Sequence, residues 1–158
     1  MAKSKTLAKK LPQLTGSKLV NLAGQAVFDR AEQYVCSDAL AQRLVGSNNL
    51  SARIYGNYGI YEVGLEFGPK DQLASYCTCP AEMYCCKHAV ALGLTWMQEP
   101  ESFFNIESLR VDLETRSKDE LVELVIQMAK EQPAVLTVLG IEGFDEEEPD
   151  EPEGYEEY

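Results

Sequence analysis

Apolar and polar residues repeat with two different periods along this 158-residue chain, and the places where the period changes divide it into elements. Leu19, Leu22, Ala23, Ala26, Val27 and Ala31 recur at spacings of three and four, which predicts a helix capped by Ser17. Phe28 and Tyr34 extend its apolar side, and it should fade near Tyr34 or Val35. From Leu40 the period shortens. The apolar stretches Leu40 to Val45 and Leu50 to Tyr55 flank the turn signal Gly46-Ser47-Asn48-Asn49, and Gly56-Asn57-Tyr58-Gly59 marks a second turn. Tyr61, Val63, Leu65 and Phe67 then alternate with Glu62, Gly64 and Glu66, as in a half-buried strand. Gly68-Pro69-Lys70-Asp71 turns the chain into Leu73 to Cys77. Short strands joined by tight loops predict a small antiparallel sheet.

Helical spacing returns at Cys86 to Met97, with Ala89, Leu92 and Trp96 on one face and Pro100 soon after the end. Asn105 is placed to cap a further helix containing Ile106, Leu109 and Leu113. Ser117-Lys118-Asp119-Glu120 reads as a capping box ahead of Leu121, Leu124, Val125 and Met128. Pro133 opens a last short turn through Val135, Leu136 and Leu139 that Gly140 ends. The expected fold class is α+β: a small antiparallel sheet packed with helices, a helical C-terminal extension and a disordered acidic tail.

Composition changes this picture mainly at the two ends. The formal net charge is -12, yet ten of the 26 acids lie from Glu142 onward with no base among them. The remaining 16 acids face 14 bases, a difference of -2, so residues 1–141 are close to neutral. The tail cannot bury enough apolar surface to offset its ordering entropy. Lys3, Lys5, Lys9, Lys10 and Lys18 give the other end the opposite sign, and residues 1–16 are expected to form a basic, flexible arm broken by Pro12. No apolar run approaches the roughly 18 residues of a membrane span. The N-terminal lysines lack a following apolar region, and the stretch before Asp29, though free of acids, has no arginine; neither a secretory signal nor a transit peptide is expected.

The chemistry is concentrated in Cys77-Thr78-Cys79, then six residues, then Cys86-Lys87-His88, which holds the chain's single histidine. Zn²⁺ takes thiolate and imidazole ligands in a tetrahedron, and Cys₃His is a recognised structural set that leaves no position for a catalytic water. Four of the five cysteines lie between Cys77 and Cys86, a bunching unlike a secreted disulfide scaffold. A reducing compartment is expected, the cytoplasm or the nucleus of a eukaryote. Cys77 and Cys79 close a strand that Pro80 interrupts. Cys86 and His88 would point about 200° apart on one regular helix. They face one ion only if Cys86 precedes the helix and His88 sits in its first turn, where free N–H groups also favour thiolate.

This arrangement resembles the SWIM zinc finger, defined by Cys-x-Cys, a variable spacer and Cys-x-His. Tyr61-Glu62-Val63-Gly64-Leu65 is similar to the family's preceding strand, Cys77-Thr78-Cys79-Pro80 to its first ligand pair, and Cys86-Lys87-His88-Ala89-Val90-Ala91-Leu92 to its helix. The resemblance covers residues 52–97 well and Leu19 to Tyr34 more loosely. Such fingers occur in bacterial proteins, chromatin-remodelling ATPases, Mutator-type transposases and recombination accessory proteins. The resemblance implies structural zinc on Cys77, Cys79, Cys86 and His88, and a role in binding nucleic acid or protein. Cys85 stands directly beside the expected third ligand, so a register shifted by one residue is the alternative there. The domain plan is then a basic arm over 1–16, a SWIM-type α+β domain over 17–100 with its core at 52–97, a helical extension over 101–141, and the tail over 142–158.

Binding is expected rather than catalysis. For nucleic acid, Arg43, Arg53, Lys70 and Lys87 are the candidates for phosphate contact, and Tyr55, Tyr58, Tyr61, Tyr76 and Tyr84 for base stacking. Against this, most of those tyrosines suit strand packing, and a near-neutral core predicts weak, salt-sensitive association with DNA or RNA. The first expectation is a nucleic-acid-binding or DNA-transaction accessory protein. The alternative is a protein–protein adaptor working through the finger, the C-terminal helices or the acidic tail. Cys-x-Cys redox chemistry, a Cys86–His88 nucleophile or a vicinal Cys85–Cys86 bridge is a third reading, opposed by zinc spacing and by the lack of an indicated orienting Asn or Asp. No Gly-rich phosphate loop, membrane partner or small-molecule substrate is inferred. Cys85 is expected to be a spare thiol and Cys36 a small core residue.

Overall fold

Two helical segments, a four-strand meander and a buried third helix build the first part of the chain in a computed structural model that describes residues 13–81 and 83–143. Helices α1 (Gly16–Ala23) and α2 (Gln25–Ala31) replace the single helix that the apolar spacing predicts. The break is at Gly24, whose φ of 84° and ψ of 155° suit only glycine. Its N–H donates to the Val20 carbonyl, closing α1, while its own carbonyl accepts the Phe28 N–H and starts α2. Thr15 rather than Ser17 caps α1, through its side chain and the Lys18 N–H. A 3₁₀ turn over Glu32–Tyr34 ends this region.

The strands are β1 (Leu40–Val45), β2 (Asn49–Gly56), β3 (Gly59–Phe67) and β4 (Leu73–Cys77), paired antiparallel in chain order. A short strand β5 (Phe104–Asn105) pairs parallel with β1, so the sheet has the order β4-β3-β2-β1-β5 and is mixed rather than wholly antiparallel. Gly56 pairs with Gly59 across the β2–β3 turn. The register of β1 shifts between Ala41 and Leu44, where Gln42 has a φ of 50°.

Helix α3 (Lys87–Gln98) packs on one face of the sheet, with α1 and α2 against it from elsewhere. Its residues His88 to Thr95 are all buried, because the helix is apolar on nearly every side. Leu50, Ile54, Val63 and Leu65 from the sheet meet Val90 and Leu92 from α3 and Leu19 from α1 in one core. Leu14 is buried too, so the fold begins inside the arm expected over 1–16; residues 1–12 of that arm lie outside the described residues. Cys36 is not the core residue expected. It is half-buried at a φ of 53°, and its N–H donates to the buried Thr95 hydroxyl at 3.0 Å.

The chain divides into two units, Met1–Val111 and Asp112–Tyr158. Helix α4 (Ile106–Glu114) starts in the first, with the Asn105 side chain accepting the Glu107 N–H at 2.9 Å as its cap. In the second, α5 (Lys118–Glu131) has the expected capping box: Ser117 and Glu120 exchange side-chain-to-backbone bonds in both directions. After Pro133 a short α6 (Val135–Val138) follows, and Gly140 takes a φ of 74°. None of the residues of α4, α5 or α6 is buried. The acidic tail from Phe144 lies outside the described residues. No helix among those described is long and apolar enough to cross a membrane.

Candidate metal centre

Cys77 is the last residue of β4, opposite Val63 of β3. Thr78 extends the pairing one step further: its N–H donates to the Glu62 carbonyl at 3.0 Å, and its hydroxyl accepts the Glu62 N–H at 2.9 Å. Cys79 and Pro80 then bend the chain away. The returning loop is tied to β4 by the Ser75 hydroxyl, which donates to the Tyr84 carbonyl at 2.8 Å. Cys86, in extended conformation, occupies the N-cap position of α3, and His88 lies in the first turn. Sheet end and helix start therefore converge, as the two-residue spacing of Cys86 and His88 requires.

The ligand atoms of Cys77, Cys79, Cys86 and His88 all lie within 4.8 Å of one another. Nδ1 of His88 is 3.6 Å from Sγ of Cys77. Zn–S and Zn–N bonds of about 2.3 and 2.0–2.1 Å at a tetrahedral angle separate S from N by about 3.6 Å, so this spacing fits zinc. Cys86 and His88 are buried, and Cys77 and Cys79 are half-buried. The pKa of Cys86 is lowered from the ordinary thiol range, first by hydrogen bonding with Cys77, then by the His88 side chain and by the N–H groups of Ala89 and His88. That of Cys77 is raised, first by its hydrogen bond with Cys86 and then by burial. The helix start thus favours the thiolate form of Cys86, the form in which cysteine binds a metal ion.

The sequence candidates part company here. Cys85 is buried outside the group, its thiol 3.9 Å from the Cys86 carbonyl oxygen. All five cysteines are free thiols. Arg43 is taken up within the fold, bonding the Leu40 and Ser37 carbonyls, the Ser102 hydroxyl and the Glu99 carboxylate. Arg53 pairs with Glu62 at 3.5 Å, and Lys87 lies over the Tyr34 ring at 4.9 Å. Lys70 is exposed, within the turn between β3 and β4. Tyr55, Tyr58, Tyr76 and Tyr84 are exposed, but Tyr61 is buried and stacks on His88 at 5.5 Å. Tyr34 meets His88 edge-on at 5.1 Å. Sequence reading found neither ring's role. The one available signal was the inward phase of Tyr61 in the β3 alternation.

The face of the sheet turned away from α3 carries one continuous register row across all five strands: Tyr76, Gly64, Ser51, Leu44 and Phe104. Tyr76, Leu44 and Phe104 are exposed, and the Tyr76 ring lies where a Cβ on Gly64 would be. Tyr55 and Ile60, paired with each other, are exposed on the same sheet.

Neither the curated proteins nor the solved structures include a significant match to the chain. The segment 61–94, which runs from the buried Tyr61 through the whole cysteine–histidine cluster into α3, matches the family model of the SWIM zinc finger.

Proposed function

We propose that this protein is a non-catalytic adaptor or accessory subunit, in which zinc held by Cys77, Cys79, Cys86 and His88 fixes a surface for binding another protein. Four protein ligands leave no open coordination position for substrate or water, which favours binding over catalysis. The observation that carries the choice of partner is the fate of the basic side chains. Arg43 is consumed by internal bonds and Arg53 is paired with Glu62, whereas Tyr55, Tyr76, Leu44 and Phe104 stay exposed on the open sheet face. An apolar, aromatic row with few free cations suits a protein segment better than a polyanion. Reduced thiols suit a cytoplasmic or nuclear setting.

A second reading, single-stranded nucleic acid, is favoured by the same tyrosines, since exposed rings offer stacking platforms. Two measurements separate the readings. In the first, cross-linked partners are captured from the native cell with the wild type and with Tyr76→Ser and Leu44→Glu variants. A protein retained by the wild type and lost by both variants supports the adaptor; equal capture by all three sinks it. In the second, the chain is titrated against single- and double-stranded DNA at several salt concentrations, with and without residues 142–158. Salt-sensitive binding that depends on Tyr76 would transfer the surface to nucleic acid.

A further inference from the structure

His88 brings two ring nitrogens into the site, and they have opposite surroundings. Nδ1 faces the thiols, 3.6 Å from Sγ of Cys77. Nε2 is buried and has no hydrogen-bond partner, the one such side-chain atom among the described residues. A metal-bound histidine ordinarily donates its second N–H to a carboxylate, a carbonyl or water, which fixes the ring. No such acceptor is present here. Two aromatic rings stand in its place: Tyr61 stacks on the imidazole at 5.5 Å with 26° between planes, and Tyr34 meets it edge-on at 5.1 Å and 86°. Tyr61 comes from the inner side of β3, and a Cβ on Gly56 would collide with its ring, so the glycine opens the space that the ring fills. Tyr34 comes from the 3₁₀ turn after α2 and is covered in turn by the Lys87 ammonium at 4.9 Å.

We infer that Tyr61 and Tyr34 are positioning residues that hold the His88 imidazole with Nδ1 toward the metal, by ring packing in place of a hydrogen-bonded outer shell. The inference rests on the ligand set proposed above. Ring–ring contacts are directional, since aromatic pairs prefer offset-stacked or edge-to-face arrangements, and His88 makes one of each. They restrict rotation of the imidazole about its bond to Cβ. With Nδ1 toward the metal, the neutral ring carries its proton on Nε2, the buried nitrogen that has no hydrogen-bond partner.

The chain has a single histidine, so its ring can be followed without assignment. With ¹¹³Cd bound to reduced, full-length, ¹⁵N-labelled protein, metal coupling is expected at Nδ1, with the proton on Nε2. Chelator competition should show zinc affinity falling about tenfold or more in Tyr61→Leu and Tyr34→Leu, the range typical of lost outer-shell support. Tyr61→Phe keeps the ring and should keep wild-type affinity. Coupling at Nε2, or wild-type affinity in both leucine variants, overturns the inference. The wild-type spectrum needs no variant, so a Tyr61→Leu chain that fails to fold does not shelter it. Wild type holding well under one zinc removes the ligand set and this inference together; a full zinc carried on Nε2 leaves the ligand set standing and removes the inference alone.

Discussion

At the residue scale, neighbouring cysteines have separate fates. Cys86 occupies the N-cap position of α3 and joins the cluster, while Cys85, one position earlier, is buried apart from it. Metal analysis of reduced protein should therefore give one zinc per chain for wild type and for Cys85→Ala, and well below one for Cys79→Ser and His88→Ala. Equal zinc in all four would exclude the proposed ligands. Acidification should release the metal, since protons compete for each thiolate and the imidazole. That Cys86 rather than Cys85 would stand in the cluster with His88 was legible beforehand, because only it forms Cys-x-His at a helix start. The aromatic support of His88 was not, since Tyr34 and Tyr61 are brought together by tertiary packing that no local spacing encodes. The same holds for two partners of Arg43: Leu40 and Ser37 are local, but Glu99 and Ser102 lie more than 50 residues away in sequence.

At the scale of elements, apolar periodicity located nearly every strand and helix, and it failed where the backbone changed direction without changing phase. Leu19, Val27 and Ala31 all reach the core, so their spacing runs straight through the break at Gly24. A side chain there would be forced into a region that essentially only glycine adopts. Gly24→Ala should destabilise the fold by about 1–3 kcal/mol, read from the denaturant midpoint. An unchanged midpoint would mean that α1 and α2 can join as one helix. Strand β5 was missed because two residues cannot display an alternation. Helix α5 was legible from its capping box and from the helical spacing of Leu121, Leu124, Val125 and Met128. Glu120 accepts the Ser117 N–H at 2.7 Å, and that backbone bond, with the Ser117 hydroxyl, lowers its pKa. A lowered carboxyl pKa contributes stability that is present above the unfolded value and lost as pH falls through the folded one. Helical signal from α5 should thus decline below the ordinary glutamate range, and Glu120→Gln should flatten that decline. Ser117→Ala should cost the helix about 1 kcal/mol at neutral pH, seen as faster amide exchange in its first turn.

On the scale of the whole molecule, the net charge of -12 is a property of the C-terminal segment, and residues 1–141 carry only -2 of it. Solubility and long-range repulsion therefore report on the tail, whereas binding by the finger should depend little on salt if its partner is a protein. Zinc is expected to act on the first unit as a whole, because α3 carries His88 at one end and the core residues Val90 and Leu92 behind it. Free zinc at about 100 times its Kd should add about 2.7 kcal/mol to stability. A melting temperature that does not move between excess zinc and excess chelator would remove the structural role of the metal. The surroundings of Gly93 carry this further. A Cβ there would meet Leu65 from inside the family segment at 3.0 Å, but also Leu19 and Leu14 from outside it at 3.0 and 3.1 Å. The finger is thus not a detachable cassette. Residues 61–94 grafted into another protein would bring the ligands yet leave the back of α3 bare, while a graft that begins before Leu14 and runs through β5 would travel with its own lining.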